Sequence, residues 1–118
     1  MKGILVVGHG SRLPEVNEKF KELIEILRKS TGRDIRGANL TLATPKIEGV
    51  VSEMYEAGFR EITVIPYFLS NGAHVVKHIP EIITKMEAQL KGLNFLIESS
   101  LLLDSYVIKA IEEKINNN

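Results

Sequence analysis

Short apolar runs alternate with amphipathic segments along this chain of 118 residues. The clearest runs cover residues 4–7 and 61–66, are rich in Val and Ile, and are typical of buried strands. Weaker strands are predicted over residues 36–42 and 93–97. Strands that alternate with helices favour a parallel sheet with helices on both faces, and right-handed crossovers favour the strand order 2-1-3-4. The sequence therefore predicts a single three-layer α/β domain over residues 1–118, built on a four-stranded parallel sheet.

The amphipathic segments predict four helices between and after these strands. Gly32 closes the first helix. Pro45 is expected to open the second, because proline lacks only an N–H that the first helical turn leaves unpaired. The third follows the 61–66 strand, and Asp104 is expected to cap the last. Four apolar side chains of that last helix are expected to face inward: Val107, Ile108, Ile111 and Ile115.

Charge and cysteine content exclude several classes of protein. Fifteen basic and fifteen acidic residues cancel, so the chain lacks the basic surface expected of a nucleic-acid-binding protein. No apolar run has the length of a membrane span, and Lys2 leads into strand-like sequence rather than into a signal peptide. Cysteine is absent, which leaves His, Asp, Glu, Asn and hydroxyl side chains as candidate metal ligands. We expect a cytoplasmic protein with no nucleic-acid or membrane partner.

A histidine between two glycines follows the first strand directly, in the segment Gly8-His9-Gly10-Ser11-Arg12. The glycines allow a sharp turn and leave the space around His9 clear of neighbouring side chains. In an open parallel sheet, ligands bind at the carboxyl ends of the strands, near the point where the strand order reverses. With the order 2-1-3-4, that point lies between strands 1 and 3. His9 is therefore a candidate functional residue, and a simple turn after a strand is the alternative.

A second histidine, His74, follows the third strand through the segment Ser70-Asn71-Gly72-Ala73. If strands 1 and 3 are neighbours, the loops that carry His9 and His74 emerge side by side. Neutral imidazoles bind divalent ions such as Co, Ni, Zn and ferrous iron, and they take up or release a proton near neutral pH. The pair therefore predicts a metal-binding or proton-transfer site. The alternative is that each histidine only closes its loop.

Other polar residues are predicted near these loops. His78 follows His74 at a spacing that would add a ligand on a helix, but Pro80 disfavours helical geometry at the residue before it. We therefore expect His78 in the loop before the third helix, as a substrate-facing or solvated residue. Arg12 lies at the start of the first helix, where it can pair with a substrate carboxylate. Thr41 ends the second strand at the rim of the same crevice.

Two motifs carry a resemblance to a known family: Gly8-His9-Gly10-Ser11-Arg12, and Pro66-Tyr67-Phe68-Leu69 followed by Gly72-x-His74 and then Ile79-Pro80. With these spacings the chain resembles the small sirohydrochlorin chelatases, which are archaeal relatives of the cobaltochelatases and ferrochelatases. The similarity runs from Lys2 to about Ile83.

This resemblance implies insertion of a divalent metal ion, Co, Ni or Fe, into sirohydrochlorin or a related carboxylate-rich tetrapyrrole. The metal is then a substrate, and no organic cofactor is implied. In such enzymes the counterparts of His9 and His74 hold the incoming metal and help to remove the pyrrole protons. The resemblance also implies that a half-size chain forms a homodimer, which imitates the two lobes of the larger chelatases.

The residues expected to contact the substrate lie around the two histidines: Ser11, Arg12, Thr41, Ser70, Asn71, Gly72, Ala73 and His78. Two alternatives stay open. Thr41 and His78 stand where many family members carry an acidic residue, which favours a non-catalytic metal or tetrapyrrole carrier on the same scaffold. Some phosphatases place Arg-His-Gly after the first strand, with histidine as nucleophile, but here Gly8 precedes His9.

Overall fold

The computed structural model describes residues 2–67, 73–98, 101 and 104–117, except for the side chains of residues 73–77. Strands and helices alternate in this order: β1 Lys2–Gly8, α1 Pro14–Thr31, β2 Ile35–Asn39, α2 Ile47–Glu56, β3 Glu61–Pro66, α3 Ala73–Gln89, β4 Asn94–Ile97 and α4 Ser105–Asn116. The strands pair in parallel in the order β2-β1-β3-β4, which confirms the predicted sheet. Within the described ranges, no helix is both long and apolar enough to cross a membrane.

Both faces of the sheet are covered, because alternate residues of β1 point to opposite sides. Leu5 and Val7 belong to the larger core cluster, which packs against α2 and α3. Val6 belongs to a smaller cluster on the other face, where Ile24 of α1 packs against Ile35 of β2. Helix α1 therefore lies on one face of the sheet, and α2 and α3 lie on the other. This is the predicted three-layer arrangement.

The predicted ends of β2 and α2 are wrong. Strand β2 ends at Asn39 rather than at residue 42. A tight turn follows, in which the Ala43 N–H donates to the Thr41 carbonyl at 2.8 Å while the intervening Leu42 has a φ of 62°. Pro45 does not open α2, which begins two residues later. Its carbonyl accepts the Asn39 N–H at 2.8 Å, so the backbone at Pro45 is joined to β2 rather than to the helix.

The predicted position of His78 is also wrong, since α3 begins at Ala73 and continues through Pro80. A proline inside a helix removes one hydrogen bond and costs about 3 kcal/mol. The helix nevertheless buries Ile79, Ile83 and Met86 in the larger core cluster. Each such side chain contributes about 1.5–3 kcal/mol when fully buried, so together they offset the cost of the proline.

The last helix confirms one prediction and contradicts another. Asp104 caps α4, because its Oδ1 accepts the Tyr106 N–H at 2.9 Å. None of the four apolar side chains expected to face inward is buried, and only Val107 is half-buried. Ile108, Ile111 and Ile115 are 41%, 53% and 66% exposed. The helix follows the edge strand β4, and the described part of the chain leaves this apolar stripe uncovered.

Candidate functional site

The site lies where the chain leaves the two central strands in opposite directions. After β1 it continues to α1 on one face, and after β3 it reaches α3 on the other. Val7 pairs with Pro66 of β3, and Gly8 pairs with Asn39 of β2. The Tyr67 N–H donates to the Val7 carbonyl at 2.7 Å, which joins the two loops directly after the strands. The predicted switch point between strands 1 and 3 is confirmed.

The backbone that carries His9 is hydrogen-bonded to the segment after β2. The Leu40 N–H donates to the Gly8 carbonyl at 2.8 Å, and the Thr41 N–H donates to the His9 carbonyl at 3.0 Å. Gly10 has a φ of 91°, and a Cβ built there would overlap the Thr41 carbonyl oxygen. Only glycine therefore fits this position, because it must combine a left-handed backbone with a close approach to the backbone that follows β2.

A third constraint on the His9 loop comes from Asn17, which sequence reasoning missed. Its Oδ1 accepts the Ser11 N–H at 3.1 Å, and its Nδ2 donates to the Ser11 carbonyl at 2.9 Å. The Ser11 Oγ in turn accepts the Leu13 N–H at 3.0 Å. The available signal was an asparagine in the first turns of a helix, where asparagine has low intrinsic propensity and needs another reason to be present.

The contact of the His9 ring with Gly10 assigns a tautomer to the neutral ring. Its Nδ1 lies 3.2 Å from the Gly10 carbonyl oxygen. A carbonyl oxygen only accepts hydrogen bonds, so Nδ1 carries the ring hydrogen and the lone pair lies on Nε2. The ring is exposed at the carboxyl end of the sheet. An imidazole in this state can bind a divalent metal ion or accept a proton.

A cavity of about 300 Å³ opens beside His9. Phe20 and Tyr67 form an aromatic wall, with ring centroids 6.2 Å apart and planes inclined by 26°. Asn17 and Asn39 add polar groups to the lining. A second cavity of about 360 Å³ shares Asn17, Phe20 and Asn39 with the first and extends along α1. The two cavities adjoin each other at these three residues, and we refer to them together as the groove.

Tyr67 also borders a third cavity, of about 350 Å³. Its remaining lining residues come from α4 and the segment before it: Leu101, Val107, Ala110, Ile111 and Lys114. The uncovered apolar stripe of α4 is therefore close to the aromatic wall of the His9 cavity.

The structure brings together only some of the predicted site residues. Ser11 and Thr41 hold the His9 loop through backbone groups, and Arg12 is exposed beside them. His78 is exposed within α3 and is absent from the described lining of the His9 cavity.

The remaining predicted residues belong to the segment after β3. Ser70, Asn71 and Gly72 lie outside the described residues, and Ala73 and His74 are described only as the first residues of α3. The pairing of His9 with His74 therefore stays a prediction. Among side chains that are described, no group of three or more His, Asp or Glu residues could hold a metal ion.

The fold and the site define a class of protein: a parallel α/β domain with a histidine at its switch point and a groove beside it. Comparison with family models identifies the family within this class. The chain matches the CbiX model over residues 3–118, and it belongs to the CbiX family.

Named relatives of the chain are chelatases. It is 28% identical over 116 residues to the chloroplastic sirohydrochlorin ferrochelatase of Arabidopsis thaliana, which covers 98% of this chain and 52% of that protein. It is 32% identical over 95 residues to the sirohydrochlorin cobaltochelatase of Methanosarcina acetivorans, covering 80% and 71% of the two chains. The crystal structure of the sirohydrochlorin chelatase SirB from Bacillus subtilis subspecies spizizenii, in complex with cobalt, superposes with a TM-score of 0.88 at 25% identity. That alignment covers 98% of this chain and 50% of SirB, so the chain spans about half the length of SirB and of the Arabidopsis relative.

Proposed function

We propose that this protein inserts a divalent metal ion into sirohydrochlorin or a closely related carboxylate-rich tetrapyrrole. The observation that carries the proposal is the position of His9. It stands at the switch point of a CbiX-family domain, with the lone pair of its neutral ring on Nε2 and an aromatic-walled groove beside it. A flat macrocycle suits such a groove, because its faces are apolar and its centre must reach a metal ligand.

In this proposal His9 and His74 hold the incoming ion and accept the pyrrole protons. Insertion exchanges two N–H protons of the ring for one divalent ion, so the site must bind the ion and also take up protons. Two imidazoles without thiolate ligands bind a divalent ion weakly enough to release it to the ring. Relatives are named for cobalt and iron, and nickel stays a further candidate, because imidazole accepts all three ions.

The peripheral carboxylates of the tetrapyrrole need donors around the groove. Arg12 offers an exposed guanidinium beside the His9 loop, and arginine pairs with carboxylates through two parallel hydrogen bonds. We assign further substrate contacts to residues 70–72 between β3 and α3, to the first residue of α3, and to three polar residues elsewhere. These residues are Ser11, Thr41, Ser70, Asn71, Gly72, Ala73 and His78.

We also propose that the protein acts as a homodimer. Two observations support this: the residues that the structure describes leave the apolar stripe of α4 uncovered, and Leu96 and Ile97 of the edge strand β4 are exposed as well. SirB, which is about twice as long, contains one further segment of similar size to this chain. A second copy would supply that missing half and bury the apolar surface of α4. Location in the cytoplasm, a single domain and the lack of an organic cofactor stay predictions from the sequence.

One observation favours a second candidate function, a carrier that binds metal or tetrapyrrole without turnover. The described lining of the His9 cavity contains no Asp or Glu side chain. Carboxylates would help both to attract the metal ion and to accept pyrrole protons. A carrier does not have to accept pyrrole protons, so the two proposals differ in turnover and not in binding.

The test is an anaerobic absorbance assay that mixes the purified protein with sirohydrochlorin and Co(II), Ni(II) or Fe(II) in turn. We expect metal-dependent conversion of the spectrum above the uncatalysed rate, lost in His9→Ala and in His74→Ala. Arg33→Ala, an exposed residue at the opposite end of the sheet, serves as the control variant and should convert normally. A spectral change that stops when one equivalent of ligand per protein has reacted, without turnover, would indicate a carrier. No change with any ion would refute both proposals.

A further inference from the structure

Asn39 is the one polar side chain, among the residues that the structure describes, that is buried in the body of the protein. It is 5% exposed and is the last residue of β2. It pairs with Gly8 across the sheet, one residue before His9. It also belongs to the lining of both cavities that form the groove. A buried asparagine at this position needs a hydrogen-bonding reason, because an unsatisfied buried polar group costs about 1–3 kcal/mol.

Only the donor half of the Asn39 amide has a partner within the described residues. Nδ2 donates to the Pro45 carbonyl at 3.2 Å. Because that carbonyl only accepts, the amide is fixed with Nδ2 toward Pro45 and Oδ1 on the other side. No described residue donates to Oδ1. Yet no fully enclosed side-chain oxygen or nitrogen in the described part of the chain lacks a partner. It follows that Oδ1 is accessible to a ligand. Because Asn39 lines both cavities, we infer that Oδ1 is reached from the groove.

The chemistry of the groove's occupant then decides what Oδ1 can bind. This step rests on the proposed function. At neutral pH the periphery of a carboxylate-rich tetrapyrrole offers acceptors, with which an amide oxygen cannot pair. The donors of the macrocycle are the N–H groups at its centre. These are also the groups that must lie near His9 when the metal ion enters.

We propose that Asn39 Oδ1 accepts a hydrogen bond from a central N–H of the metal-free tetrapyrrole. Metal insertion removes both N–H protons, so the metallated product cannot make this bond. Asn39 therefore distinguishes substrate from product: it stabilises the bound metal-free ring and contributes nothing to retention of the product. A central N–H points into the ring cavity, so Oδ1 reaches it from a face of the ring, where Asn39 and His9 line the same cavity.

The experiment measures binding and not turnover. Metal-free sirohydrochlorin and its preformed cobalt complex are each titrated, without added metal, into the wild-type protein and into Asn39→Ala and Asn39→Val. Valine suits a strand and has no acceptor, so it provides a second variant if alanine folds poorly. Asn94→Ala, an exposed asparagine at the start of β4, is the matched control.

We expect both Asn39 variants to bind the metal-free ring about tenfold more weakly, which corresponds to one hydrogen bond of about 1.4 kcal/mol. Affinity for the cobalt complex should change by less than about twofold, since no bond is lost there. Equal weakening of both ligands would mean that Asn39 only holds the Pro45 segment in place, and this would overturn the inference. So would unchanged affinity for both. If the wild-type protein binds neither ligand, the proposed function fails together with the inference.

Discussion

The side-chain amide of Asn17 forms a pair of hydrogen bonds with the backbone of Ser11, accepting its N–H at 3.1 Å and donating to its carbonyl at 2.9 Å. The pair joins α1 to the loop that carries His9. Asn17→Ala should lower the free energy of unfolding by about 2 kcal/mol, because two partly buried hydrogen bonds are lost. It should also weaken Co(II) binding, since the His9 backbone gains freedom. Urea unfolding and a Co(II) titration measure the two effects.

Two further variants define the origin of this effect. Asn17→Asp keeps the acceptor but turns a carboxylate oxygen toward the Ser11 carbonyl, so it should not rescue the loss. Glu18→Ala is the control at the neighbouring residue. It removes an exposed ion pair with Lys21 and should change the free energy of unfolding by less than about 0.5 kcal/mol. If Asn17→Asp is as stable as wild type, the pair of hydrogen bonds does not hold the loop.

Alanine substitutions at three glycines distinguish two sources of destabilisation: a left-handed backbone, and overlap of the new Cβ with neighbouring atoms. Gly10 has a positive φ and faces the Thr41 carbonyl, Gly32 has a φ of 68° with open space, and Gly49 lies in α2 with open space. Gly32→Ala should destabilise by about 1 kcal/mol, from the left-handed backbone alone. Gly49→Ala should stabilise by up to about 0.5 kcal/mol, because alanine favours a helix and Gly49 lies in the first turn of α2. Gly10→Ala should cost clearly more than Gly32→Ala, since the overlap is with backbone that cannot rotate away.

Urea unfolding of the three alanine variants gives this ranking directly. The Gly10 variant should also lose Co(II) binding, because relieving the overlap moves His9 relative to the groove. A Gly10→Ala protein as stable as Gly32→Ala would show that the segment after β2 moves aside at no cost.

The ring of Phe20 covers Gly8, and a Cβ built on Gly8 would lie 3.0 Å from its Cε1 atom. Gly8→Ala alone should therefore destabilise the protein by about 1 kcal/mol, as tight packing usually does. Phe20→Ala should cost about 3 kcal/mol through the space it leaves. In the double variant the new methyl group occupies that space. The double variant should therefore be destabilised by about 1 kcal/mol less than the sum of the two single variants. A double-mutant cycle in urea tests this, and strict additivity would contradict the contact.

The strand order and the position of His9 were predictable because they depend on local patterns. Apolar runs mark the strands, and the right-handed crossover leaves few ways to order them. The ends of β2 and α2 were not predictable, because they depend on a hydrogen bond between Asn39 and the Pro45 carbonyl that exists only in the folded chain. A pattern of residue types does not contain such a contact.

The same reason explains why Asn17 and Asn39 were missed. A histidine between glycines indicates chemistry by its residue type, whereas an asparagine has a role only through its partners. Pro80 shows the opposite error. Its local preference disfavours a helix at Ile79 and so predicts His78 in a loop, but the burial of Ile79 and Ile83 outweighs that preference.

An amphipathic pattern indicates that one face of a helix is covered, but it does not indicate what covers that face. Helix α4 is the example in this chain. The sequence predicts an inward apolar stripe, and the structure leaves Ile108 and Ile111 about half exposed. If a second copy covers them, replacing both with glutamine should convert a dimer to a monomer, because polar side chains would be buried without partners. Sedimentation equilibrium over a range of protein concentrations measures the change.

The matched control is the double variant Lys109→Gln, Glu113→Gln, which places two glutamines on the opposite face of α4. Both double variants leave the net charge unchanged, so a difference between them reports the apolar stripe and not electrostatics. Residues 108 and 111 are one helical turn apart on one face, whereas 109 and 113 lie on the other. We expect the control to remain dimeric and the Ile108→Gln, Ile111→Gln protein to be monomeric with an unchanged thermal midpoint at low concentration. A wild-type protein that is monomeric at every concentration would contradict the proposed homodimer.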